Sequence, residues 1–222
     1  MKPVRIALVA GLLLAGCAPG RLGPPPAGGA YQVGPYPTTP RAAAPTGDGL
    51  FARIGPDGLS LGLRQAPWQG ELVGVGGAAG GAKLRGAWSR GRYAVQAEAA
   101  YLFFTTERWD GEGSRTLEHR AFGLALDASY LWEVPVRYGR AYAGPRARAY
   151  WSAAKVNDGP YRPAEGGLLP GVVLGVNLPV PVTEGRLVFG LEASLFVVSP
   201  WLTSEAEWSA FSPLSIGLSY RF

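Results

Sequence analysis

His119 and Cys17 are the only histidine and cysteine in the chain, so any imidazole or thiol chemistry must use them. Acyl transfer at a histidine needs a nucleophile and an orienting acid within hydrogen-bond reach. Alternation puts Asp127 and Ser129 on the same strand and face as His119. Eight residues of extended chain at about 3.3 Å each separate His119 from Asp127 by roughly 26 Å, so no triad forms within that strand. A partner would have to come from another strand, with Ser152 and Glu107 as candidates. A lone histidine at a loop edge is more often simply solvated, and no catalytic residue is expected. One histidine and one cysteine cannot make a transition-metal cluster. Asp110, Glu112 and Asp158 lack the spacing of a calcium loop. Gly74, Gly76 and Gly80 resemble a dinucleotide turn only superficially, because no helix follows them. Neither a metal nor a cofactor is expected.

The elements that must position the polar residues are strands. Tyr93, Val95, Ala97, Ala99, Tyr101 and Phe103 share one face, with Gln96 and Glu98 opposite. Phe122, Leu124, Leu126, Ala128, Tyr130 and Trp132 repeat the pattern against Asp127 and Ser129. Ala141, Ala143, Ala147, Ala149 and Trp151 oppose Tyr142, Arg146, Arg148 and Tyr150. Leu168 to Leu178 and Leu187 to Val197 follow, the latter against Glu192 and Ser194. Leu214, Ile216, Leu218, Tyr220 and Phe222 end the chain. Runs of about ten residues suit tilted strands crossing a bilayer. Connections alternate short (89–92, 134–139, 181–185) and long (105–118, 155–167, 199–212), and aromatics gather near strand ends. That is the asymmetry and the girdle pattern of a transmembrane barrel.

The count between 50 and 89 is open. Leu59, Leu61 and Leu63 mark one strand, Val73 and Val75 another on odd positions, and Leu84 and Trp88 a third on even positions. The change of parity across 76–81 implies a bulge or a turn. A bulge gives eight strands, the expected number; a turn makes ten possible. Pro145 removes a ladder hydrogen bond, so a local bulge is expected there.

The N-terminus is of other material. Lys2 and Arg5 precede an apolar run from Ile6 to Gly16, which is a secretory signal by shape. Leu14-Ala15-Gly16-Cys17 resembles a bacterial lipobox, which implies cleavage between Gly16 and Cys17, lipid modification of Cys17 and, with Ala18 following, sorting to the outer membrane of a Gram-negative-type envelope. Residues 1–16 are therefore read as signal and 17–49 as the acylated cysteine with a disordered Pro/Gly-rich tether. Residues 50–222 are read as one all-β, antiparallel up-and-down domain. The formal charge of +5 falls to nearer +3 once Lys2 and Arg5 leave, and no basic run suggests nucleic acid.

Residues 57 to 222 resemble the small outer-membrane β-barrel proteins, the class of OmpA-like transmembrane domains and OmpX-like or opacity-type barrels. The resemblance rests on alternation, turn asymmetry and the terminal strand. The segment Leu214–Phe222 resembles the C-terminal signal read by the barrel-assembly machinery, with Tyr220 and Phe222 as its aromatics. It implies outer-membrane lipid and the assembly and lipoprotein-sorting machineries as partners, a monomer, and both termini in the periplasm.

Inside such a barrel the inward charges would meet. Counted from short-turn ends at 92, 133, 140 and 186, Glu98, Asp127, Arg146 and Glu192 each lie six residues in. Lys83 and Arg85 share the inward face of their strand, and Arg148 is the next inward position after Arg146. An internal salt-bridge network closing the lumen is expected. The alternatives are a soluble periplasmic lipoprotein with a lipocalin-like or sandwich fold that binds an apolar ligand, and thirdly a lipid-modifying barrel enzyme or small porin.

Overall fold

A computed structural model describes residues 39–44, 47–55, 58–75, 80–109, 114–180, 186–199, 201–203, 209–212 and 214–222. Gly16 and Cys17, with the rest of the signal and lipobox, lie outside the described residues. The strands are β1 (Gly49–Gly55), β2 (Gly58–Gln65), β3 (Trp68–Val75), β4 (Gly80–Arg90), β5 (Tyr93–Trp109) and β6 (Ser114–Tyr130). They continue as β7 (Trp132–Val136), β8 (Gly139–Val156), β9 (Arg162–Pro179), β10 (Leu187–Val198), β11 (Ser209–Phe211) and β12 (Leu214–Arg221).

Consecutive strands pair antiparallel except β6 with β7 and β11 with β12, and β12 returns to β1 with Arg221 opposite Phe51, so the sheet closes on itself. β7 continues β6, because both meet β8 in one register, Ser129 opposite Arg146 and Trp132 opposite Ala143. β11 likewise continues β12 along β10. The twelve segments therefore make a barrel of ten strands, which leaves no free edge.

Ten is the larger of the two counts that the sequence left open, and β1 to β4 show why. The change of parity was illusory. Even positions face outward in both β3 and β4, with Leu72 58% and Leu84 62% exposed, while Val73 is buried in the lumen. Gly70 and Gly74 occupy two of the four outward sites of β3, between and after Trp68 and Leu72, and dilute its apolar face. β3 and β4 pair antiparallel as a hairpin, with Val75 opposite Gly81. At Pro145 there is no bulge: the ladder with β9 stays in register through Val172, and the shift falls at Ser152/Ala153.

A second correction concerns the tether. Residues 39–44 form a turn whose Thr39, Ala42 and Ala43 are buried. Polar bonds place it there. Asn177 accepts from the Ala43 N–H at 3.0 Å and donates to the Arg41 carbonyl at 2.6 Å. Gly190 makes the room, since a Cβ there would overlap the Ala43 backbone. The barrel end holding both the start of β1 and the end of β12 also carries the short turns at 66–67, 91–92 and 137–138, and this is the short-turn end.

Candidate functional site in the barrel lumen

Inward positions of β1, β3, β4, β5, β6, β8 and β10 present Arg53, Glu71, Arg85, Glu98, Asp127, Arg146, Arg148 and Glu192, all buried. Three cross-strand pairs stand directly opposite each other: Glu71 with Arg85, Arg85 with Glu98, and Asp127 with Arg148. The charges then link around the wall. Arg53 Nη1 lies 3.4 Å from Glu71 and Arg85 Nη1 3.7 Å from it. Arg85 grips Glu98 Oε2 through Nε at 3.0 Å and Nη2 at 2.8 Å. Arg148 spans Glu98 at 3.3 Å and Asp127 at 2.5 Å. Arg146 meets Asp127 at 2.8 Å, Glu192 at 3.5 Å and the Ser194 hydroxyl at 3.0 Å.

Acids and bases thus alternate, and most belt members touch two of the opposite sign. Such a belt suits a space with little water. Taking charges out of water is costly, and only close pairing with further hydrogen bonds offsets that cost. Ser60 supplies one such bond to Glu71 at 2.6 Å, and the Tyr142 hydroxyl supplies one to Glu192 at 2.7 Å.

The belt meets the Thr39–Ala44 turn, which plugs this end of the lumen, at Glu192. Thr39 donates its N–H to Oε1 at 2.8 Å and its hydroxyl to Oε2 at 2.5 Å. Below it, Arg41 pairs with Glu133 at 2.8 Å and donates to the Gly91 carbonyl at 2.6 Å. A cavity of about 430 Å³ remains at this mouth, lined in part by Arg64, Arg140 and Pro179. Phe51, Leu131, Leu169 and Phe196 fill lumen space with apolar bulk. Tyr142 lies over Gly175, where a Cβ would strike its ring.

The outer wall is the inverse. Leu50, Ile54, Leu61, Leu63, Leu72 and Leu84 are each more than half exposed, whereas Glu192 and Lys83 are 1% exposed. Aromatics ring both ends: Trp68, Tyr93, Trp132 and Phe222 by the two-residue turns, and Phe103, Trp151, Tyr161 and Trp201 toward the opposite end, where most of the expected long connections at 105–118 and 155–167 are strand. A soluble lipocalin-like barrel requires the opposite, an apolar interior under a polar surface.

No family model matches the chain, and no curated protein matches it. Among solved structures, it is similar to neisserial surface protein A. The identity is 10%, the TM-score 0.37, and the match covers 78% of this chain and 92% of that one.

Of the residues singled out in the sequence, Arg85, Glu98, Asp127, Arg146, Arg148 and Glu192 come together in the belt. Lys83 is buried two positions from Arg85 on the same inward face. Tyr220 and Phe222 lie on the outer wall with ring centroids 5.4 Å apart, and the Phe222 N–H reaches the Leu50 carbonyl at 3.1 Å across the closing seam. Arg53, Glu71 and the whole Thr39–Ala44 turn were missed, and Tyr142 was placed on the inward face without its bond to Glu192. Glu71 becomes legible once Leu72 rather than Val73 is taken as lipid-facing, because the inward sites of β3 then follow by alternation, and Arg53 follows in the same way on β1, where Leu50 and Ile54 face outward. His119 stacks on Phe104 with centroids 4.7 Å apart. Ser152 faces Gly123 on β6, four residues along from His119 or about 13 Å of strand, which keeps the two backbones out of catalytic register.

Proposed function

We propose that the chain is a non-enzymatic outer-membrane β-barrel lipoprotein, anchored also through Cys17, with a closed lumen and a structural or surface-interaction role. The observation that carries this reading is the inversion of polarity across the wall. A closed barrel satisfies its backbone hydrogen bonds internally, and an apolar band between aromatic girdles is what lipid requires of its outer surface. The belt and the Thr39–Ala44 plug fill the interior with paired charge instead of leaving an aqueous path. The short-turn end, which holds both ends of the barrel's chain, faces the periplasm in this reading, and the assembly and lipoprotein-sorting machineries deliver the chain to the membrane.

Cell fractionation of Cys17→Ser tests it. A soluble lipoprotein loses its only attachment when the acylated cysteine is removed, whereas a barrel holds the membrane by itself. The variant is expected in the outer-membrane fraction, with faster gel migration before boiling than after. Release into the soluble periplasm would overturn the membrane reading.

A further inference from the structure

The outer wall at the short-turn end carries a patch that the lumen does not use. Arg90 ends β4 on its outward face, Arg92 stands in the β4–β5 turn and Arg137 in the β7–β8 turn, and all three are exposed. These elements are successive neighbours around the barrel, so the three arginines lie on one side of it. Arg92 donates to the Tyr130 hydroxyl at 3.1 Å, with its guanidinium 6.0 Å from that ring centroid. Arg137 lies over the Tyr138 ring at 5.0 Å. Tyr93, Tyr130 and Trp132 form an edge-to-face row with centroids 5.0 and 5.1 Å apart.

The acids nearby are otherwise occupied. Glu133 is the one acid in segments 88–93 and 129–140, and it is engaged by Arg41 and Arg140 in the mouth of the lumen. Among the described residues no carboxylate lies within ion-pair distance of Arg90, Arg92 or Arg137. The opposite end is mixed, with Glu118 and Asp158 beside Arg120, Lys155 and Arg162. Amphipathic rings set the height of the bilayer interface. A guanidinium resting on such a ring keeps N–H groups free, and its planar fork matches phosphate oxygens.

We propose that Arg90, Arg92 and Arg137, with the tyrosines beneath them, form a docking surface for the phosphates of anionic phospholipid headgroups in the leaflet at the short-turn end. This rests on the membrane reading above. The full chain is refolded into vesicles of phosphatidylcholine and phosphatidylglycerol in which one or the other lipid is brominated, and tryptophan quenching reports which lipid lies against the wall. Wild type should favour phosphatidylglycerol by about fivefold at each arginine, the ratio that roughly 1 kcal/mol gives, and high salt should weaken the preference. The R90Q/R92Q/R137Q variant should insert equally well, with unchanged heat-modifiable migration, and lose the preference. Wild type that inserts without preference, or a variant that keeps it, would overturn the docking surface and leave the membrane reading standing. Retention of detergent-solubilised wild type on anionic cell-wall polymer, with no lipid preference, would also overturn it and assign the patch to that polymer. Failure to insert into any vesicle would overturn both readings.

Discussion

Thr39 gives both its backbone N–H and its hydroxyl to the two carboxylate oxygens of Glu192, 153 positions later in the chain. That one pair ties the segment before the first strand to the charged belt. The reach of Arg146 to the same carboxylate makes Glu192 the junction of plug and belt.

The belt's dependence on Arg146 follows from how the acids are shared. Removing Glu98 leaves Arg85 with Glu71 and Arg148 with Asp127. Removing Arg146 leaves Glu192 with hydrogen bonds from Thr39 and Tyr142 but no described cation within ion-pair distance. Breaking a buried pair costs about 3–5 kcal/mol. Arg146→Ala should therefore fall at the upper end of that range and Glu98→Ala toward the lower, read as unfolding midpoints in urea from lipid vesicles. Equal or reversed losses would show that the belt does not share charge in this way.

How much of this was legible depended on which residues stood outward. β5, β6, β8, β9, β10 and β12 announce themselves because Tyr101, Leu124, Trp151, Val172, Leu195 and Ile216 repeat on one face. Period two is readable only when the lipid-facing sites are large, and glycine at 70, 74 and 86 removes that contrast from β3 and β4. The charges of β5, β6, β8 and β10 were readable for the same reason that their strands were, and those of β4 because Leu84 and Trp88 still mark its outward face. The plug was not. Its residues are held by Asn177 and Glu192, 134 to 153 positions away, and nothing local in Thr39–Ala44 signals partners that only barrel closure brings near.

The plug itself makes a smaller, separable prediction. Thr39→Val removes the hydroxyl that faces Glu192 Oε2 but keeps the backbone donor to Oε1. A hydrogen bond to a charged group is worth about 1.5–3 kcal/mol. The variant should lose stability within that range while its migration on unboiled gels stays that of a folded barrel. A loss below the scatter of repeat measurements would mean that the Thr39 hydroxyl does not hold the segment in place.

Cys17 is expected to be the N-terminal, lipidated residue of the mature chain. A fatty-acid analogue fed to growing cells should label wild type and miss Cys17→Ser. Equal labelling of the two would contradict the lipobox reading.

Phe222 is 68% exposed on the outer wall, so its contribution to the finished fold is modest. Burying such a side chain fully is worth about 1.5–3 kcal/mol. Deleting it should lower the amount of folded barrel in cells by more than that stability loss accounts for, because the terminal aromatic also serves the assembly step. Quantifying heat-modifiable protein in cells beside the midpoint of the purified variant separates the two effects. Normal cellular levels would remove the assembly role.

The closed lumen is the central claim, and current across a planar bilayer tests it most directly. Purified full-length protein inserted at high ionic strength should give no steady open-channel conductance, because the belt from Arg53 to Glu192 and the Thr39–Ala44 turn occupy the bore. A large, steady conductance from the wild-type barrel would contradict the account and put a small porin in its place.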